Sequence, residues 1–158
     1  MERVTENINM KDVAGENIRF ANFAGAEIPP YNPAGARNFC IDILDEAFAQ
    51  ELHDAGWNVK FDTKEREDGI QYPPMLKVNV KYSDVAKPRV MMEQVQSNGD
   101  VKQVWLNEDT IGDLDDMEII KIKEIDIRPY NWEVRGNTGV SAYLKAMRVE
   151  VARDMFAD

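Results

Sequence analysis

Arg128, Tyr130, Trp132, Arg135, Tyr143 and Lys145 all fall within residues 126–149. Aromatic rings interleaved with guanidinium and ammonium groups can stack nucleobases and hold the phosphates between them. The spacing of two puts Arg128, Tyr130 and Trp132 on one side of a strand, since strand side chains alternate between faces. Two runs of strand composition flank Gly136-Asn137-Thr138-Gly139, a cluster of turn formers, so the segment reads as a β-hairpin. A turn centred on Asn137 and Thr138 would set Trp132 opposite Tyr143 and Tyr130 opposite Lys145. A second reading stands beside the first: Trp132, Val134, Tyr143 and Met147 form one core-facing row, with Ala142, Leu144 and Ala146 behind them.

Further cations belong with this set. Lys77 and Lys81 flank Asn79 on one side of a strand whose other side is Leu76, Val78, Val80 and Tyr82. Arg37 and Lys60 are weaker phosphate candidates, and Trp57 is a weaker stacking candidate. Each lysine has a plain alternative role on a solvated strand face.

Other chemistry is thinly represented. His53 is the single histidine; it lacks a Ser or Cys partner in sequence context and suits a solvated helix surface. No Cys/His set has zinc spacing, and no glycine-rich phosphate loop occurs. Asp113, Asp115 and Asp116 could hold a hard cation for hydrolysis, yet the run lacks the glycine and closing Glu of a calcium loop. A solvated acidic turn fits it better. The expectation is a non-catalytic protein with no cofactor and no bound metal.

The elements that must position these residues are mostly strands. Residues 17–23 and 37–44 read as strands separated by a Pro/Gly-rich loop. Leu44, Ala47, Phe48, Leu52 and Ala55 recur at helical spacing, with Asp45 as N-cap and Gly56 at the end. Short strands follow at 57–61 and 75–82, around a charged loop closed by Pro73-Pro74. Residues 89–95 and 101–106 flank Ser97-Asn98-Gly99-Asp100, a hairpin signal. Residues 110–114 suit one helical turn. Residues 118–127 form a strand whose apolar phase slips between Ile122 and Ile125, which places a β-bulge near Lys123-Glu124. About eight strands and one helix, without helices between the strands, exclude a parallel α/β fold. The fold class expected is all-β with one packed helix: an antiparallel OB-like barrel with long loops and β-hairpins. Residues 1–16 read as a flexible arm, 17–152 as one domain, and 153–158 as a short tail.

Composition narrows the setting. The chain has 158 residues, 44% of them hydrophobic and 30% charged, as expected of one globular domain with a real core. No apolar run is long enough to span a membrane, and the first residues lack the pattern of a secretory signal. Cys40 is the single cysteine, most simply a small buried hydrophobe in a reducing compartment. Net charge is −10, which opposes binding to a polyanion. The excess acid is concentrated, however: Glu108, Asp109, Asp113, Asp115, Asp116 and Glu118 lie in a stretch without Lys or Arg.

Four segments together carry a resemblance: Tyr31-Asn32-Pro33-Ala34-Gly35-Ala36-Arg37-Asn38-Phe39-Cys40, Gly56-Trp57-Asn58-Val59-Lys60, Ile127-Arg128-Pro129-Tyr130-Asn131-Trp132-Glu133-Val134, and Gly139-Val140-Ser141-Ala142-Tyr143-Leu144-Lys145-Ala146-Met147. Their order and spacing resemble small single-stranded-DNA-binding proteins encoded by tailed phages and prophages, over about residues 17–150. The resemblance implies an OB-type barrel that coats single strands in phage replication or recombination, without catalytic residues, in the cytoplasm of a bacterial host. Partners implied are single-stranded DNA and replication or recombination proteins of phage or host, with homo-oligomerisation open and no membrane. Many such proteins finish in a long acidic tail, whereas this sequence ends Arg153-Asp154-Met155-Phe156-Ala157-Asp158, a feeble version of one. The alternative function is an acidic phage factor whose surface mimics nucleic acid and binds a host protein.

Overall fold

Alternating apolar residues dictate the architecture. In β3 (Arg37–Asp42), Phe39 and Ile41 turn inward; in β5 (Met75–Val80), Leu76, Val78 and Val80 do the same. Burying each such side chain contributes about 1.5–3 kcal/mol. The computed structural model describes residues 3–84 and 87–152. The other strands are β1 (Ile8–Ala14), β2 (Ile18–Asn22), β4 (Val59–Lys60), β6 (Arg89–Val95), β7 (Val101–Leu106), β8 (Ile119–Val134) and β9 (Asn137–Val151). They join in one sheet with the path β1-β8-β9-β5-β3-β2; β4 adds to β5, and the β6–β7 hairpin adds to β9. The all-β reading with one packed helix is borne out. The sheet is not wholly antiparallel: β9 pairs parallel to β5 through its first half and to β6 through its second.

The helix α1 (Glu46–Asp54) follows its sequence signals. The Asp45 carboxylate accepts a hydrogen bond from the Phe48 amide at 3.2 Å, and Ala49 and Leu52 face the core. The acidic run becomes a 3₁₀ segment, Ile111–Asp116, that buries Ile111 and Leu114. Asp115 is not merely solvated there. Its carboxylate accepts from the amides of Phe23 and Ala24 at 2.9 and 2.8 Å, fastening the end of β2.

One correction concerns the chain's N-terminal end. Residues 8–14 are not a loose arm; they form β1, paired antiparallel to β8 from Ile8↔Ile127 to Ala14↔Lys121. An edge strand buries little on its outer side, so only Ile8 becomes core, and the hydrophobic signal is weak. The expected tail at 153–158 lies outside the described residues.

The long β8–β9 hairpin frames everything else. Ile119–Val134 is one strand rather than two, because bulges let it bend without breaking. The slip expected near Lys123 is present: Ile122 pairs with Val149 and Glu124 with Arg148, leaving Lys123 unpaired. A second bulge lies at Lys145, between the pairs Ile127↔Leu144 and Asp126↔Ala146. It switches the inward phase of β9 from Val140, Ala142 and Leu144 to Met147, Val149 and Val151. Lys123 then reaches Glu93, which is 3% exposed and also lies 3.7 Å from Arg148.

Candidate nucleic-acid interface

The turn of the last hairpin falls two residues earlier than the glycine cluster suggested. Arg135 (φ 52) and Gly136 (φ 81) are its two central residues, and Val134 pairs with Asn137. Two successive residues at positive φ make the turn whose twist matches the flanking strands. The shift resets every cross-strand partner. Trp132 lies opposite Gly139, not Tyr143; Tyr130 lies opposite Ser141, not Lys145; Arg128 lies opposite Tyr143.

The new register gathers the rings. Tyr130 and Tyr143 meet edge to face, with centroids 5.8 Å apart and planes at 79°. The Arg128 guanidinium lies 5.4 Å from the Tyr143 ring centre. Trp132 lies across Gly139 so closely that a Cβ there would collide with the indole. Tyr130 is 54% exposed, while Trp132, Tyr143 and Arg128 are half-buried. The core-row reading of Trp132, Val134 and Tyr143 is therefore overturned, although Met147 is buried as that reading required. Ile125, Ile127, Ala142 and Leu144 hold the inner face in their place.

Cross-strand partners stand on the same face of a sheet. The pairs Asn22↔Asn38, Asn38↔Asn79, Asn79↔Tyr143 and Tyr143↔Arg128 thus draw one row across β2, β3, β5, β9 and β8. Asn79 Nδ2 donates to the Ala142 carbonyl at 3.2 Å, tying β5 to β9 on this side. A neighbouring row runs Arg19↔Cys40↔Lys77, and a third runs Asp42↔Met75↔Lys60. The outer face is largely polar with exposed rings where the inner face is apolar. Cys40 belongs to this outer face, half-buried rather than in the core, and burial pushes its thiol pKa up despite Lys60 and Lys77 nearby.

On this face Arg19 is held by Asp42, while other cations are unspent. Among the described residues, Lys60, Lys77, Lys81, Arg128, Arg135 and Lys145 form no ion pair, whereas Arg19, Arg66, Lys121, Lys123 and Arg148 do. Lys60, Lys81, Arg135 and Lys145 are exposed; Lys77 is half-buried. Lys145 owes its position to the β9 bulge.

Two candidates have other work. Trp57 is 4% exposed, bridged to Val140 beneath the hairpin, so it cannot stack a base. The core wins because the ring follows directly on the helix end and has the sheet interior to fill. Arg37 donates from Nη1 to the Phe23 carbonyl at 2.6 Å and lies 5.8 Å from the Tyr82 ring, bracing the 24–36 loop.

The sequence reading passed over Trp105 and Arg89. Trp105 is 57% exposed on β7, with the Arg89 guanidinium 5.1 Å from its ring. They line a cavity of about 350 Å³ with Met91, Ala146 and Arg148, beside Glu124 and Asp126. The alternation of Val101-Lys102-Gln103-Val104-Trp105 carried no basic cluster to flag it; the pairing of β6 with β7 supplied Arg89. Among the described residues, no group of three or more His, Cys, Asp or Glu is placed to hold a metal ion. His53 is exposed, edge-on to Phe61 at 5.3 Å.

An all-β sheet that buries one face and presents rings with unpaired cations on the other defines a nucleic-acid-binding protein of OB-like type. The family model for phage ssDNA-binding domains matches residues 2–158, and the chain belongs to that family. Its ligand is single-stranded DNA. Two solved structures agree in fold. The single-stranded DNA-binding protein of bacteriophage Enc34, truncated at its C-terminus, is 9% identical; the match covers 99% of this chain and 95% of that one, with a TM-score of 0.52. Another structure of the Enc34 protein is 10% identical over 100% and 92% of the two chains, with a TM-score of 0.50. A third, that protein in complex with ssDNA, is 10% identical over 99% and 97%, with a TM-score of 0.48. No curated protein sequence matches the chain. Among the described residues, no helix is long and apolar enough to cross a membrane.

Proposed function

We propose that the protein coats and protects single-stranded DNA during phage replication or recombination, in the cytoplasm of the bacterial host, and catalyses no reaction. Bases stack on Tyr130, Trp132 and Tyr143. Phosphates lie against Lys77, Lys81, Arg128, Arg135 and Lys145, with Lys60 at the far end of the same face. The observation that carries this reading is the row Asn79–Tyr143–Arg128 with Tyr130 edge-on beside it, on the face where Lys77 and Arg128 lack ion pairs among the described residues. Stacking on an aromatic ring contributes about 1–3 kcal/mol per base, and each neutralised phosphate adds salt dependence. A few rings and cations suffice to hold a single strand against the repulsion of a −10 body.

The test is tryptophan fluorescence during titration with single-stranded and duplex oligonucleotides at two salt concentrations. Trp132 emission is expected to quench with the single strand, more so at low salt, and Trp57 to stay silent. An interface elsewhere on the molecule would leave a Trp132→Phe variant with the same quenching as the parent.

A further inference from the structure

We propose that a second nucleotide-binding site lies at the other end of the outer face, in the groove between β2 and the 62–74 loop, and that it takes a base and its flanking phosphate from the same single strand. The groove is about 410 Å³, lined by Arg19, Phe20, Lys60, Phe61, Lys64, Arg66 and Tyr72 among others. This inference rests on the interface proposed above and extends it by one site.

Three observations converge. The first is Phe20, 75% exposed and held at φ 54 where the register of β2 slips between Arg19 and Asn22. A bulky residue in the left-handed region is strained, and a bulge re-aims its side chain. The fold thus spends backbone energy to hold an apolar ring in water at the groove's edge. Phe61 and Tyr72, 38% and 46% exposed, supply its aromatic walls.

The second observation is the charge. Arg19 is spent on Asp42, with Nε 2.9 Å from both carboxylate oxygens. Arg66 donates to Asp62 at 2.6 Å, and that carboxylate, the acidic group of the lining, also accepts from the Tyr72 and Lys64 amides at 2.8 and 3.1 Å. Lys60 and Lys64 remain exposed and, among the described residues, without an ion pair. Their ammonium groups are the ones open to a phosphate. An apolar or acidic ligand would leave either these charges or the rings unmet, whereas a nucleotide meets both.

The third is continuity and rigidity. Lys60 shares its cross-strand row with Met75, next in face to Lys77 and Asn79, so the groove adjoins the rows that end at Tyr143 and Arg128. The loop wall is fixed: Asp62 pins Arg66 and Tyr72, Arg66 also donates to the Ile70 carbonyl at 3.1 Å, and the Arg19 and Arg66 guanidiniums lie 5.3 and 4.7 Å from the Tyr72 ring centre. A preformed wall loses little freedom when a strand binds.

The experiment compares the parent, Phe20→Ala/Lys64→Ala and Tyr143→Ala by fluorescence anisotropy with an oligo-dT of about 20 nucleotides, longer than a single OB site. The double variant is expected to bind at least about fivefold more weakly, the loss of one stacked base. Parental affinity in the double variant overturns the second site, and a simultaneous loss in Tyr143→Ala would leave the hairpin interface standing. A loss in the double variant with none in Tyr143→Ala supports the groove and refutes the hairpin interface. If the double variant melts early, the unaltered protein decides. Photo-cross-linking to an oligonucleotide bearing 5-iodouracil should label the peptides carrying Phe20 or Phe61, and labels confined to residues 128–143 overturn the proposal.

Discussion

Tyr143 is the residue on which the interface turns, because it touches Tyr130, lies under Arg128 and pairs with Asn79. Its change to Ala removes a stacking ring and the floor of its neighbours. The expected outcome is a loss of about 1–3 kcal/mol in oligo-dT binding, or about 5- to 150-fold, read by anisotropy. The melting temperature should move little, since the ring stands on the outer face. The cations act differently. Lys77→Ala, Arg128→Ala or Arg135→Ala should each lower the slope of log K against log salt by about 0.7, the share of one phosphate on a single strand. A slope unchanged by all three would place the phosphates elsewhere. Arg37→Ala is expected to affect stability more than binding, because its guanidinium holds the Phe23 carbonyl.

At the scale of elements, the β8–β9 hairpin is stabilised by the fit of Trp132 over Gly139. Gly139→Ala forces the indole aside and is expected to cost about 1–3 kcal/mol in urea unfolding, with binding weakened in parallel. The bulges have their own anchor. The Lys123 ammonium, with help from Gln103 and Arg148, holds the Glu93 carboxyl below the usual carboxylate range. Glu93→Gln leaves Lys123 short of its partner and should cost about 1–3 kcal/mol at neutral pH. The folded pKa lies below the unfolded one. The contribution is therefore complete above about pH 5 and lost as pH falls through the depressed folded value. Parent and variant stabilities should converge in acid; a constant gap would mean that the charge of Glu93 is not what counts.

For the whole molecule, the conflict between a −10 charge and a polyanionic ligand is resolved by segregation. Asp115 is drawn into the fold, Asp42 and Asp62 are neutralised by arginines, and Lys60, Lys77 and Arg128, without ion pairs among the described residues, stand in the rows of one face. Repulsion from the rest of the surface is long-ranged, so salt acts twice, screening it while competing for the phosphates. Binding should still weaken from about 50 to 200 mM salt, with duplex DNA far weaker than single strands because paired bases present no free faces. Equal affinity for duplex would refute the stacking mechanism.

Local pattern was enough for the strands, the capped helix and the bulge near Lys123, because alternation and cap chemistry are short-range properties. The phage single-stranded-DNA-binding character came from the resemblance of four ordered segments to that family. Pairing was not local, and so tertiary structure decided what pattern left open. It moved the final turn to Arg135-Gly136, where both residues adopt positive φ, and so gave Tyr143 to Arg128 instead of Trp132. It turned residues 8–14 into an edge strand, sent Trp57 inside, and set Phe20 and Trp105 in solvent. A ring's hydrophobicity is the same in the core and on a binding face; which one it occupies depends on strands distant in sequence, and those contacts are written in no single segment.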